Sequence, residues 1–324
     1  MNEESNILLS VEDLRTYFYT YRGVVKAVDG VSFQIKKGEI VGLIGESGCG
    51  KSVTGSSILR LVEKPGKIVG GRIIFENEDL LEKNQDEMRQ LRGGKISMVF
   101  QDPMSSLNPV FNVGDQIIES IRKHKRIDKG EAKAQALEIL DKVKIPNPAK
   151  IMKRYPHELS GGMAQRVIIA ISIACEPRLI IADEATSALD ATIQAQILRL
   201  IQELNSKLGT SVLMVTHDFG VLAQVCDSAI VMYAGNLIER GPTENILKNP
   251  LHPYTRGLID AIPRLTKDQK KLNTISGTVP DLIDTPPVCL FNTRCEFAET
   301  QCFQNKPSLI EAEKGHWAAC FLMQ

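Results

Sequence analysis

Short unbroken apolar runs punctuate the first two-thirds of the chain: "EIVGLIG" (39–45), "LIIAD" (179–183) and "SVLMVTH" (211–217). Runs of this length, rich in Val and Ile, predict strands buried on both faces, as in a parallel sheet between helices. The last two each close on a polar residue, and residues at the ends of such strands form a ligand crevice. Between the first run and the second the period lengthens. "EAKAQALEILDKVKI" sets Ala136, Leu137, Leu140 and Val143 at helical spacing, and helix signals dominate from about 113 to 175. "VIIAISIAC" (167–175) is half the length that a bilayer requires, so it predicts a buried helix. The early stretch "GVVKAVDGVSFQIKKGE" alternates and breaks at glycines, which predicts antiparallel strands. "AIVMYAGNLIERG" predicts a hairpin turning at Gly235-Asn236. Beyond about 240 proline rises and periodicity fades, so a boundary is placed there: residues 1–240 as one domain, 241–324 as a small extension.

Composition narrows the class. The chain has 324 residues, 43% hydrophobic and 24% charged, ordinary for a soluble globular protein. Its 39 basic and 39 acidic residues cancel, and without a basic excess no nucleic-acid partner is expected. The start "MNEESNILLS" has neither a basic n-region nor an apolar h-region, so no secretory signal is expected. The expected setting is cytosolic, where thiols stay reduced and seven cysteines do not imply disulfides.

The chemistry starts at "GESGCGKS", Gly45 to Ser52, which fits G-x-x-x-x-G-K-[ST] between a strand and a helix. The glycines let backbone N–H groups turn inward to cradle phosphates at the positive end of the following helix. Gly45, Ser47, Gly48, Cys49, Gly50 and Val53 line that cradle. Lys51 reaches the β- and γ-phosphates, and the Ser52 hydroxyl ligates Mg²⁺. Cys49 fills a variable position and is given no redox role. In "LIIADEATSALD", Asp183 ends a buried strand and can hold the hydrated Mg²⁺ opposite Ser52, and Glu184 is placed to polarise the attacking water. "ELSGGMAQRVIIA" adds a second anion-binding helix start at Ser160-Gly161-Gly162. One sheet does not readily offer both helix starts to one nucleotide. Two chains head to tail, each presenting this serine and glycine pair to the other's ATP, solve the problem.

These elements, in this order, resemble the ATP-binding-cassette family over residues 8 to about 240. The resemblance implies a RecA-like α/β core with an antiparallel β subdomain and an α-helical subdomain at about 102–175. It makes "LSGGMAQ", with Ser160, Gly161, Gly162 and Gln165, the signature, and Gln101 in "VFQDP" the glutamine that touches Mg²⁺ and the attacking water. Ser187, Ala188, Leu189 and Asp190 match the loop that crosses the dimer interface, and His217 matches the histidine that contacts the γ-phosphate. The family stacks adenine on an aromatic upstream of the phosphate loop; Tyr21 is the candidate and Tyr19 its rival. One phosphate loop and one signature exclude the twin-cassette translation class. The short span from Gln101 to Ser160 excludes the coiled coils of the chromosome-maintenance and repair class. A transporter engine remains, with docking on two separate permease subunits. A soluble cassette ATPase of repair or cofactor assembly is the alternative from another class.

"QDPMSSLNP", "NPLHPYTRGLIDAIP" (249–263), "ISGTVPDL" (275–282) and the cysteine tail together look like the dipeptide/oligopeptide importer ATPases. Proline and threonine in the HPYT stretch also suit a plain helix start. Ala164 and Ala185 depart from the subfamily's usual arginine and proline, at positions that touch no catalytic group. The subfamily implies a related but different ATPase partner and, indirectly, an extracytoplasmic binding protein. A nickel or metallophore importer of the same subfamily is the other substrate reading.

Cys289, Cys295, Cys302 and Cys320 are separated by five, six and seventeen residues. Structural zinc sites and ferredoxin clusters both use tighter pairs, so spacing alone leaves a metal, or ordinary core cysteines, open. The subfamily resemblance implies a [4Fe–4S] cluster on these four thiols first, with zinc second. His316 is expected to be a supporting or surface residue near Cys320, not a ligand.

Overall fold

The computed structural model describes residues 6–187, 189–262 and 275–324. The chain runs β1 (Ile7–Thr20), β2 (Gly23–Lys36), β3 (Ile40–Ile44), α1 (Lys51–Ile58), β4 (Gly66–Phe75), β5 (Glu78–Asp79), α2 (Gln85–Leu91) and β6 (Ile96–Val99). There follow α3 (Pro103–Ser106), α4 (Val113–His124), α5 (Lys129–Lys142), α6 (Pro148–Ile151), α7 (Gly161–Ile173), β7 (Leu179–Asp183), α8 (Ala191–Leu208) and β8 (Ser211–Thr216). Last come α9 (Phe219–Val225), β9 (Ser228–Tyr233), β10 (Asn236–Pro242), α10 (Thr243–Lys248), α11 (Pro253–Asp260), β11 (Ile310–Glu313) and β12 (His316–Ala318).

Two compact units emerge. The first holds Ile35–Ile40 and Glu82–Val215 with the start of the chain up to Leu8. In it β6, β7 and β8 run parallel, and β7 is buried along its whole length. The expected helical stretch is present as α4 to α7. Helix α5 buries Ala132, Ala136, Ile139 and Leu140, while Leu137 is only half-buried, so the core-facing stripe lies slightly off the predicted one. Helix α7 starts on Ser160, whose hydroxyl accepts the Met163 N–H, and carries the buried run Val167 to Ala170. Among the described residues no helix is long and apolar enough to cross a membrane.

The second unit holds Leu9–Gln34, Val41–Leu81 and Thr216–Gln324. One of its sheets has the order β2-β1-β4-β5, with antiparallel pairing of β4 to both β1 and β5. The stretch expected to break at glycines is one continuous strand, β2, which absorbs Gly30 at φ 81° without ending. In the other sheet β3 pairs parallel with β9, then β10, β12 and β11 follow antiparallel. The expected boundary at 240 falls inside β10, and the C-terminal strands continue that sheet through Arg240↔Trp317 and Glu239↔Ala318.

The β9–β10 hairpin turns on Ala234 and Gly235, at φ 47° and 79°, one residue earlier than expected. The cause is tertiary. The Gly235 N–H donates to the Cys49 carbonyl at 3.0 Å, and its own carbonyl accepts the Asp29 N–H at 2.8 Å. A Cβ on Gly235 would collide with the Lys26 carbonyl, so glycine is required where the hairpin meets the phosphate loop.

The core of this unit joins Ile44, Val231, Tyr233, Leu222, Tyr254 and Phe291, with Cys289 and Cys295 packed against them. Tyr233, Tyr254 and Phe291 meet pairwise in tilted and edge-to-face contacts, with ring centroids 4.6 to 5.4 Å apart. The chain beyond 240 is therefore fixed to the nucleotide-loop strands by aromatic burial despite its weak periodicity. A buried polar knot reinforces it. Glu239, fully buried, accepts the Leu251 and His252 N–H groups and sits 2.8 Å from His316 Nε2.

Candidate functional site

Strand β3 delivers the chain into the loop Gly45–Gly50, and α1 begins at Lys51. Gly50 caps α1 at φ 103° and brings no side-chain oxygen to compete for the first amides of the helix. A Cβ there would strike the Ala27 carbonyl, so only glycine allows this approach. Ser47, Gly48 and Ser52 face solvent, whereas Cys49 is buried. Burial pushes the Cys49 thiol up, while the neighbouring Lys51 ammonium pulls it the other way. Lys51 lies buried along the loop, its ammonium donating to the Gly45 and Glu46 carbonyls at 2.9 Å each. Tyr21, on the turn between β1 and β2, is 99% exposed, while the Tyr19 ring already faces the Lys67 ammonium at 5.6 Å. His217 is exposed just after β8, next to Asp218, which caps α9.

The carboxylates belong to the first unit. Asp183 ends β7 and is nearly buried. Glu184 follows at φ 46°, a left-handed backbone unusual for a residue with a side chain. That turn is fixed by the Glu184 N–H donating to the Val215 carbonyl and by the Ser187 N–H and hydroxyl, which both donate to the Glu184 carbonyl. Gln101 Nε2 donates to Glu184 Oε2 at 2.9 Å, which brings two predicted catalytic residues together across 83 positions. Asp190 accepts the Thr192 and Ile193 N–H groups and caps α8, whereas Ala188 lies outside the described residues.

At the start of α7, Ser160 and Gly161 are exposed and a Cβ on Gly161 meets nothing within 4 Å, so this edge is open to an incoming ligand. Gln165 differs from Ser160 in exposure: it is 1% exposed with Nε2 unpartnered, one turn down the buried face of the helix. Ala164 and Ala185 are both buried, where alanine fits.

Cys289, Cys295, Cys302 and Cys320 line a single cavity, with His252, Phe291, Phe297 and Leu322 among its other walls. Three of the sulfurs accept a backbone N–H two residues on: Phe291 to Cys289, Phe297 to Cys295 and Leu322 to Cys320. Burial pushes the Cys289 thiol up to about 11 and raises Cys295 and Cys320 as well, so a cationic group is what would keep thiolates here. Among the described residues no three His, Cys, Asp or Glu side chains stand close enough to hold one metal ion. His316 is not a surface residue and is not among the residues that line this cavity; it is fully buried on Glu239.

Three contacts escaped the sequence reading. Tyr254, of the HPYT stretch, accepts the Glu46 N–H on its hydroxyl at 2.9 Å, from the start of a helix capped by His252. Arg294 grips the Glu46 carboxylate through two nitrogens, at 2.8 and 3.1 Å. Tyr233 Oη accepts from the same guanidinium at 3.4 Å. The sole sequence signal was the HPYT stretch itself, since the pairing of Glu46 with Arg294 spans 248 positions.

A strand, a glycine-rich loop and a helix start with a buried lysine, together with an Asp-Glu strand end facing a glutamine, define a nucleotide-triphosphatase. The chain belongs to the ABC transporter family. The family model described as "ABC transporter" matches residues 28–187, and that described as "Oligopeptide/dipeptide transporter, C-terminal region" matches residues 238–302. The chain is 49% identical to the probable peptide ABC transporter ATP-binding protein y4tR of Sinorhizobium fredii, covering 99% of this chain and 96% of that protein. It is 47% identical to the oligopeptide transport ATP-binding protein AppD of Bacillus subtilis, over 98% and 97% of the two chains. Among solved structures, the dimeric post-hydrolysis state of the ATP-binding cassette MJ0796 bound to ADP and Pi superposes with a TM-score of 0.66 at 28% identity, covering 73% of this chain and 99% of that one. The fold is thus that of an ABC ATPase cassette, and the chain is an ATP-hydrolysing subunit of that family.

Proposed function

We propose that this chain is the ATPase subunit of a di- or oligopeptide importer, held by two permease subunits at the cytoplasmic face of the membrane. The observation that carries the reading is the extension beyond residue 238, which matches the oligopeptide/dipeptide C-terminal region and is built into the nucleotide-loop unit. In this reading residues 1–240 are the cassette and 241–324 the importer-specific extension. Gly45 to Val53 cradle the triphosphate, Lys51 leaves the loop carbonyls for the β- and γ-phosphates, and Tyr21 stacks on adenine. Ser52, Gln101 and Asp183 would hold Mg²⁺, which supplies charge neutralisation on the phosphates. Glu184 takes the proton of the attacking water, Gln101 orients it, and His217 contacts the γ-phosphate. A second, related cassette receives Ser160, Gly161 and Gly162 at its nucleotide, with Ser187 to Asp190 at the seam. ATP closes the pair, closure drives the permeases through alternating access, and hydrolysis reopens it. Phe100, Met104, Val110 and Phe111, all exposed around Gln101 and α3, form an apolar surface suited to the permeases.

The four tail cysteines carry a [4Fe–4S] cluster in this reading, with zinc as second choice; the shared cavity and the amide donors to sulfur support it. The cluster's contribution is to order a segment with little regular structure.

The test is reconstitution of the chain in liposomes with candidate permease, partner ATPase and binding proteins of the same organism. Di- or oligopeptides should stimulate ATP hydrolysis several-fold. Stimulation by nickel chelates with no response to peptides transfers the chain to the metallophore reading. Failure to assemble with any permease pair, with ATPase activity intact, favours a soluble cassette.

A further inference from the structure

The extension ends on the phosphate loop itself, at a position that the motif leaves free. Glu46 lies between Gly45 and Ser47, and each of its polar groups is engaged. Its N–H donates to Tyr254 Oη, its carbonyl accepts the Lys51 ammonium, and its carboxylate takes both outer nitrogens of Arg294. Arg294 is only 4% exposed. Its Nε donates to the Ser276 carbonyl at 2.9 Å, and its guanidinium lies 5.7 and 5.9 Å from the Tyr233 and Phe291 ring centres. Its backbone N–H donates to the Phe291 carbonyl, and the next residue is Cys295, a wall of the thiol cavity.

A buried ion pair is a costly way to gain stability, since well-packed apolar residues do as well or better. What it supplies is direction. A planar guanidinium on a carboxylate has one preferred orientation, and here that orientation is transmitted to the loop whose amides must face a phosphate. We propose that Arg294 is a positioning residue for the phosphate loop, through which the cysteine-lined end of the chain sets the affinity for nucleotide. The inference rests on the nucleotide-site reading above. It assigns a task to the extension inside the ATPase cycle: whatever holds Cys295 in place holds Arg294, and Arg294 holds Glu46 and the carbonyl on which Lys51 rests. Linkage makes the effect reciprocal, so a nucleotide in the loop tightens the segment around Cys289 to Cys302.

The experiment measures MgADP binding to the full chain by calorimetry. Arg294→Met should raise Kd about tenfold, within the usual range of coupled sites, and Arg294→Lys should recover part of the loss. In a Glu46→Gln background the same Arg294→Met change should cost no more than about twofold, because the pair is already broken. Amide exchange over 289–302 should slow on adding MgADP to the wild type and not to Arg294→Met, a readout that a purely structural arginine would not move. If Arg294→Met does not fold, Glu46→Gln, which breaks the pair from the loop side, carries the same expected loss. A Kd within twofold of wild type for either variant overturns the proposal, as does an equal effect of Arg294→Met in both backgrounds. Lys51→Ala is the control. If it too binds MgADP normally, the nucleotide-site reading has failed; if it alone loses binding, only the positioning role has.

Discussion

Glu184, the proposed general base, is held in an unusual backbone conformation. Its left-handed backbone, at φ 46°, turns the side chain off the line of β7 at the point where the strand ends on Asp183. Such a conformation persists only where neighbours over-determine it, and here Val215 and Ser187 do so. Gln101 then ties down one carboxylate oxygen. Glu184→Gln keeps the size of the group and removes its basicity, so ATP should still bind while turnover falls ~10²–10⁴-fold. Single-turnover hydrolysis with the partner ATPase present checks this, and a near wild-type rate would remove Glu184 from its role. The motif placed Glu184 in sequence, but its backbone strain could not be read there, because it arises from Val215, brought alongside by strand pairing.

Helix α7 carries the proposed second anion-binding start, and the exposure along it bears on what it can reach. Ser160 and Gly161 stand in solvent at the N-terminus, where the amides and the helix dipole favour an anion. From Ala164 onward the helix is largely buried, so its first turn is the part most open to a second chain. Ser160→Arg should therefore spare nucleotide binding by the isolated chain and abolish turnover of the assembled transporter, where a bulky cation would keep the two cassettes apart. Nucleotide titration of the monomer beside ATPase assays of the complex separates the two effects. Loss of binding in the monomer as severe as that of Lys51→Ala would mean that the signature acts in cis. The helix and its cap were legible from the apolar run and the serine before it. The burial of Gln165 was not, because a polar residue gives no sign of which face of a helix will be covered.

The C-terminal extension is held at several places at once: β12 on β10, Phe291 in the aromatic core, Glu239 among His316, Leu251 and His252, and Arg294 on Glu46. Cys289 and Cys295 pack against the same core, and the proposed iron–sulfur cluster would tie them to Cys302 and Cys320. Anaerobically purified protein should be brown, with iron and acid-labile sulfide near four of each per chain by the formula of the cluster. Any one Cys→Ser change among the four should lower that content while ATP still binds. Zinc without sulfide, from iron-replete anaerobic expression, would move the site to the second choice, and a metal-free chain would leave plain core cysteines. The apolar runs, the glycine loop, the Asp-Glu strand end and the signature serine were all legible along the chain, because each is a local pattern that dictates local backbone and local chemistry. The hairpin turn at Ala234-Gly235, the burial of Gln165 and His316, and the grip of Arg294 and Tyr254 on Glu46 were settled only by folding. Each joins residues far apart in sequence, and neither periodicity nor spacing records which distant groups will be brought to within a hydrogen bond of each other.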